Sequence, residues 1–254
     1  MPITDDFLQA LKNPVVSWEH PENGLVKIIN PNINLNRFNI EFDDVGTRSL
    51  KAYIYTPRLQ IHSLGCEDDE TNTHDLQFLL TLYGSQEIMA KYAYGVPLSE
   101  SAVKKRVQYF TNEWQINHCP LSAFMCYSGD EQIGMFNLSP TSETPGVAEF
   151  AHISAPQHWK KSFASEIGLL LYKYPSMVNK LGYTAITAVT ASARPDNGSA
   201  FVMDRLGLTC KGETERYGTL RKIFYDTVQD LETVVQDTKH RSKLFTSLKR
   251  LQAL

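Results

Sequence analysis

The segment from Val147 to Tyr174 places a short apolar stretch directly before an amphipathic one, and this order constrains the fold most. Val147–Ser154 is rich in apolar and aromatic residues and too short for a helix, so we expect a buried strand. Ala155 and Pro156 end that strand. Apolar residues then recur at helical spacing, at Phe163, Ile167, Leu170 and Tyr174. The segment therefore predicts a strand, a turn and a helix in succession.

The turn between this strand and this helix is polar and basic, and it contains Lys160 and Lys161. A strand that passes directly into a helix leaves the first amides of the helix facing the turn, where the helix dipole favours an anion. Two interpretations stay open at this point. The turn is either a site for a phosphate or pyrophosphate, or an ordinary solvated connection of an α/β unit.

The composition is that of a globular protein and argues against several classes. Of 254 residues, 42% are hydrophobic and 21% are charged. A net charge of −3 argues against general nucleic-acid or membrane-surface binding. No apolar run approaches the ~20 residues that span a bilayer. The first residues carry acidic groups and no apolar block, so we expect a cytoplasmic protein without a signal peptide.

The cysteines and the acidic residues give no metal-binding pattern. Cys66, Cys119, Cys126 and Cys210 lack the CxxC spacing of zinc sites, so we expect reduced thiols. The acidic run 67–70 is expected to form a solvated loop, without the inward-facing neighbours that a metal site needs. No metal is therefore predicted.

The chain is expected to divide into three parts. Residues 1–55 form an N-terminal extension, with a short amphipathic helix at Phe7–Leu11 and an irregular strand within 29–42. Residues 56–226 form the main domain. Residues 227–254 form a C-terminal amphipathic helix, which either docks on the domain or pairs with a second subunit, so a monomer and a homodimer both remain open.

The main domain and the segment just before it show alternating strand and helix signals. A helix with a break at Gly84 is expected over 76–89, and a second helix is expected to be capped by Ser99. The apolar face of that second helix contains Val103, Val107, Phe110 and Trp114. The remaining expected elements are strands at 50–55 and 58–64, a hairpin of 123–127 and 132–138, a strand at 184–191, a helix at 199–206 and a strand at 217–225.

Six short motifs follow one another between about Thr56 and Asp226. They are Thr56-Pro57-Arg58-Leu59, Ile133-Gly134, Ala148-Glu149-Phe150, Trp159 to Glu166, Asn197, and Arg205-Leu206-Gly207-Leu208. In this order and spacing the chain resembles the GNAT superfamily of acyl-CoA N-acetyltransferases. More narrowly, it is similar to the branch that contains the ribosomal-protein alanine N-acetyltransferases. The resemblance implies an α/β (α+β) fold with a mixed, mainly antiparallel central sheet of about six or seven strands and helices on both faces.

The resemblance also implies acetyl-CoA as cosubstrate and an amine acceptor, which is a protein N-terminus, a polyamine or another small molecule. Backbone groups of Ile153 and Ser154 would pair with the pantetheine arm. The pyrophosphate would lie on the turn and the first helical turn. The residues implied there are Trp159, Lys160, Lys161, Ser162, Phe163, Ala164 and Ser165, and Asn197 completes the set.

The chain departs from the family pattern at three positions. Family members usually have glycine where this chain has Lys160 and Ser162, and glycine lets the backbone approach a pyrophosphate closely. The tyrosine that serves as general acid in some relatives falls at Met203. These departures leave a second function open, in which a degenerate fold acts as a CoA-binding or protein-interaction module.

Two residues of the central strand are candidates for the general base. The resemblance implies Glu149, and His152 is the other candidate because imidazole titrates near pH ~6.5. Strand alternation directs their side chains to opposite faces unless a bulge intervenes. Glu149 can instead be a cross-strand partner, and His152 a satisfied core histidine. No cysteine or serine lies in an obvious nucleophile setting, so direct attack by the amine is expected.

Overall fold

The computed structural model describes residues 28–29, 32–33, 39–44, 50–56, 58–92, 95–116, 122–140, 146–168, 185–191, 198–205, 208–216 and 218–227. The strands are β1 Ile28–Ile29, β2 Asn32–Ile33, β3 Asn39–Asp44, β4 Leu50–Tyr55, β5 Gln60–Ser63, β6 Ala123–Ser128, β7 Glu131–Pro140, β8 Val147–Ser154, β9 Ala185–Ala191, β10 Cys210–Arg216 and β11 Thr219–Thr227. The helices are α1 Asp69–Gly84, α2 Gln86–Met89, α3 Glu100–Gln115, α4 Phe163–Gly168 and α5 Gly198–Arg205, with a 3₁₀ turn at Pro156–His158.

These elements belong to two compact units, and strand β8 contributes to both. The first unit takes its described residues from Asn36–Leu138 and His152–Gln157. The second takes them from Leu25–Leu35, Ser139–Ala151 and His158–Leu254. The division within β8 falls after Ala151.

The first unit contains a five-stranded antiparallel sheet in the order β3-β4-β5-β6-β7, flanked by helices. Its core is aromatic, because the Trp114 ring meets Phe124 edge-on at 5.0 Å and Phe124 stacks on Phe136 at 4.6 Å. The indole Nε1 of Trp114 donates a hydrogen bond to the Ala123 carbonyl at 2.8 Å. This bond ties α3 to the start of β6.

The helices of the first unit begin at side-chain caps. The Ser99 hydroxyl accepts from the Ala102 amide, which confirms the predicted cap of α3. The acidic run proves different from the expected loop, because the Asp68 carboxylate accepts from the Thr71 amide and α1 begins at Asp69. Acidic side chains in a first helical turn are stabilised by the helix dipole, and that preference outweighs their solvation in a loop.

The second unit contains the strands β10-β11-β9-β8 in that order. Strands β8 and β9 are parallel through Val147–Glu149 and Ala185–Thr187, and the other neighbours are antiparallel. The described strands therefore confirm a mixed, mainly antiparallel α/β fold. Strands β3 to β11 number nine, above the six or seven expected, because β3 lies in the expected N-terminal extension and β10 has no apolar alternation. Leu170, Tyr174, Phe7–Leu11 and 228–254 lie outside the described residues.

A carboxylate in the core of the first unit is held by three donors from three strands. Asp75 of α1 is fully buried. Its Oδ2 lies 2.9 Å from His62 Nε2, and its Oδ1 accepts from Gln132 Nε2 at 2.9 Å and from the Tyr127 hydroxyl. Burial and then the hydrogen bond to Asp75 raise the pKa of Tyr127, so the phenol stays neutral and donates. The network fixes α1 against β5, β6 and β7.

Replacing Asp75 tests this network. We expect Asp75→Ala to lower the free energy of unfolding by ~2–4 kcal/mol, because buried donors lose their acceptor. Urea denaturation of the folded protein measures this change. The exposed Asp69→Ala, one position into the same helix, is the matched control and is expected to cost ~1 kcal/mol or less. Equal losses for the two variants would contradict a stabilising role for the network.

Candidate functional site

Glu149, the first candidate base, lies on the part of β8 that belongs to the second unit. Its Oε2 is 2.8 Å from Nη1 of Arg216, and the two side chains are 16% and 21% exposed. The carboxylate is therefore partly accessible and forms an ion pair with a residue of β10. Sequence reasoning did not single out Arg216, since residues that lie on different strands have no fixed spacing in sequence.

His152, the second candidate base, lies on the part of β8 that belongs to the first unit. Burial lowers the pKa of its imidazole to about 4, so the ring is neutral at pH 7 and is a weak base. The structure thus divides the two candidates between the units. The His152 side chain as a whole is only partly buried.

The last residues of β8 lie very close to β7. A Cβ added to Gly134 would meet the carbonyl oxygen of Ile153 and would lie 2.8 Å from the Cα of Ser154. The Ala155 amide donates to the Ile133 carbonyl at 3.1 Å, which continues the pairing past the end of the strand. Gly134 is therefore needed for this approach, and Ile153 and Ser154 are held against β7 by their backbone.

The turn after β8 begins with the 3₁₀ segment and ends at α4. His158 is buried, Trp159 is partly buried, and Lys160 and Lys161 are exposed. The His158 and Phe163 rings meet edge-on at 6.0 Å, which fixes the two ends of the turn. α4 then begins as expected at Phe163.

The α4 helix presents both apolar and polar groups to the interior. The amide of Glu166 donates to the Ser162 carbonyl at 3.1 Å, so the first helical bond closes on the turn. Phe163 and Ile167 are buried, as their spacing predicted. Ser165 and Glu166 are also buried, which the apolar pattern did not indicate.

The backbone of this turn has an unusual conformation at two residues. Within the described part of the chain, two non-glycine residues have positive φ, Lys160 at 64° and Ser162 at 65°. This left-handed region costs an L-residue about 1–2 kcal/mol and is normally taken by glycine. The two residues are those at which the resemblance implied glycine. The turn therefore has a glycine conformation at both positions without a glycine at either.

Other predicted groups lie elsewhere or outside the described residues. Asn197 and Cys119 are not described, and the described cysteines 66, 126 and 210 form no disulfide bond. Met203, where the resemblance implied a general acid, is 2% exposed and packs in the core. Among the described residues no group of three or more His, Cys, Asp or Glu is arranged to hold a metal ion. No helix in this part of the chain is long and apolar enough to cross a membrane.

The chain belongs to the acetyltransferase (GNAT) domain family, whose pattern it matches over residues 70–209, more than half of its length. Its structure is similar to that of an acetyltransferase (GNAT family) from Bacillus anthracis, with a TM-score of 0.54, 14% identity, and coverage of 70% of this chain and 99% of that chain.

It is also similar to spermidine N-acetyltransferase from Vibrio cholerae in complex with CoA and spermine, with a TM-score of 0.51 and 20% identity. That similarity covers 68% of this chain and 98% of that chain. No curated protein sequence matches the chain. At these identities the structural likeness concerns the fold, and function has to be argued from the site.

Glycine substitutions in the turn test its conformation. We expect Lys160→Gly and Ser162→Gly each to raise the free energy of unfolding by ~0.5–1 kcal/mol, because relief of positive φ exceeds the added freedom of the unfolded chain. Lys161→Gly is the matched control, since Lys161 lacks positive φ, and it is expected to lower stability by ~0.5–1 kcal/mol. Thermal and urea unfolding measure all three. A stabilising effect at Lys161 equal to the others would refute the assignment.

Proposed function

We propose that the protein is an N-acetyltransferase that transfers acetyl from acetyl-CoA to an amine. Acetyl-CoA carries a pyrophosphate, and binding it requires that the protein backbone come close to this group. The observation that carries this proposal is the positive φ of Lys160 and Ser162. The finer branch of ribosomal-protein alanine N-acetyltransferases also belongs to the proposal. The motifs that the sequence shares with that branch support it.

The conformation of the turn supports retention of the cofactor site. Each left-handed L-residue costs about 1–2 kcal/mol, so the surrounding structure has to hold the turn in this conformation. Residues persist in such conformations when the surrounding structure over-determines them, and they cluster at ligand sites. The replaced glycines therefore do not argue for loss of the site. They argue that the backbone path is kept while the side chains of Lys160 and Ser162 are accommodated.

The chemistry of the turn suits a pyrophosphate. The exposed side chains of Lys160 and Lys161 place positive charge beside it. Amides of a first helical turn favour an anion at that end of the helix. In this proposal the segment from Trp159 to Ser165 holds the pyrophosphate, Asn197 also contacts the cofactor, and the backbone of Ile153 and Ser154 pairs with the pantetheine arm.

Glu149 is proposed as the group that takes the proton of the acceptor, directly or through a water molecule. The acceptor ammonium loses this proton, the nitrogen attacks the thioester carbonyl, the C–N bond forms and the C–S bond breaks. The leaving thiolate of CoA then takes up a proton. Cys66 and Cys126 are buried, so the described thiols other than Cys210 are poorly placed for a covalent acetyl-enzyme step.

The alternative is a degenerate fold that binds CoA or a protein without transferring acetyl. Two observations favour it, because Glu149 is engaged by Arg216 and the general-acid position holds the buried Met203. Both functions require an intact fold, and they differ in turnover. CoA binding together with amine acetylation supports the enzyme, whereas CoA binding without acetylation of any amine supports the module.

Binding of CoA to the turn is tested with Ser162→Glu. We expect this variant to weaken CoA binding by ~1–3 kcal/mol or more, because a carboxylate repels the pyrophosphate and blocks its approach. Titration calorimetry measures the affinity. Thr73→Glu adds the same charge at an exposed position of α1 and is expected to bind CoA like the parent. If Ser162→Glu binds as tightly as the parent protein, CoA lies elsewhere.

The role of Glu149 is tested with Glu149→Gln, which keeps the shape and removes the base. We expect kcat to fall by ~10²–10⁴-fold while CoA affinity is kept. The loss should shrink as pH rises, because more of the acceptor amine is already neutral. Initial rates between pH 6 and 9 decide this, and equal rates for variant and parent would return Glu149 to a structural role. His152→Ala is the comparison, expected to change kcat far less.

A further inference from the structure

The ion pair between Glu149 and Arg216 joins strands that are not neighbours. In the second unit the hydrogen-bonded order is β10-β11-β9-β8, so two strands lie between the one that carries Arg216 and the one that carries Glu149. The 2.8 Å contact is therefore not a ladder pair of adjacent strands. Glu149 therefore has a partner on another strand, and that strand is not its immediate neighbour.

The strand register shows how far Arg216 lies from Glu149 along the strand direction. Glu149 is in register with Thr187, and Thr187 is in register with Tyr225. Arg216 is in register with Thr219, near the turn of the β10–β11 hairpin. Thr219 and Tyr225 are separated by about 20 Å along an extended strand, which exceeds the length of any side chain. The end of the hairpin must therefore bend over the sheet to bring Arg216 to Glu149.

The end of the hairpin is itself supported from within. Arg221 is 6% exposed, and its Nε donates to the Arg216 carbonyl at 3.3 Å. The backbone of Arg216 is thus held by one guanidinium, while its own guanidinium is directed to Glu149. The pair remains partly open to solvent, with 16% of the Glu149 side chain and 21% of the Arg216 side chain exposed.

We propose that Arg216 occupies the place at Glu149 that the ammonium group of the acceptor takes, and that it thereby selects a cationic amine. This inference rests on the proposed function. An alkyl amine is protonated near neutral pH, and it binds a carboxylate through the same charge-assisted hydrogen bonds that a guanidinium makes. An acceptor without positive charge cannot replace the guanidinium at Glu149. Arg216 is therefore a specificity-determining residue, and it leaves Glu149 before the acceptor proton is transferred.

The exposure of the pair makes this exchange feasible. The 16% and 21% of the two side chains that reach solvent give an acceptor access. Because the rest of the pair is removed from water, Glu149 needs a cation, which an ammonium ion supplies once the guanidinium leaves. Protein molecules in which Arg216 contacts Glu149 cannot bind the acceptor there, so their fraction lowers the apparent affinity for the acceptor. The competition acts on acceptor binding, and the chemical step after displacement does not involve Arg216.

Steady-state kinetics with spermidine and acetyl-CoA test the competition. We expect Arg216→Gln to lower KM for spermidine by ~2–10-fold and to change kcat by less than about twofold, because the competing cation is gone. Arg216→Lys retains a cation and should keep KM close to that of the parent. Lys211→Gln removes an exposed charge from the same hairpin and is the control. An unchanged or raised KM in Arg216→Gln overturns the inference.

Hydrogen exchange separates this inference from the proposed function, since it needs no turnover. Spermidine added to CoA-saturated parent protein should speed exchange of β10–β11 amides, because the ion pair that holds the hairpin is broken. Arg216→Gln should exchange fast without spermidine and show no further response. Unaltered exchange in the parent overturns the inference even if spermidine is acetylated. Faster exchange with no acetylation of spermidine, an alanyl peptide or butylamine supports the inference and counts against the transferase.

Discussion

The candidate site depends on strand β8, which pairs with β9 at its start and lies against β7 at its end. Val147–Glu149 pair in parallel with β9, and the last residues of the strand are held against β7 where Gly134 has no side chain. A larger residue at position 134 would collide with the backbone of Ile153 and Ser154. The start of β8 therefore carries Glu149, and its end leads into the turn. A single strand thus positions the proposed base and the proposed pyrophosphate turn.

The turn has a left-handed backbone conformation that glycine usually provides, with other residues at those positions. Lys160 and Ser162 keep a positive φ that glycine adopts without strain. Such strain has to be offset by contacts on either side, here the ring contact of His158 with Phe163 and the first helical bond from Glu166 to Ser162. Residue identity in a loop is therefore weaker information about its function than the backbone path.

Sequence patterns predicted the elements whose signal is local. β8 has the expected bounds, and Ser99 caps α3 as its position before the helix indicated. The exposed polar strand β10 and the acidic start of α1 were missed, because neither has an apolar period and both depend on partners. At the site, the glycine-like turn positions were predictable from the family pattern, whereas Arg216 was not. Its contact is set by hairpin bending, which no spacing in sequence encodes.

The two roles considered for Glu149 are compatible once its partner is known. A carboxylate that is mostly removed from water needs a cation or hydrogen-bond donors. A general base of this kind therefore needs another cation beside it while no acceptor is bound. The guanidinium of Arg216 is this cation, and it comes from a hairpin strand that is not a neighbour of β8. Arg216 can leave when another cation takes its place at the carboxylate, which is what an exchange for an ammonium ion supplies.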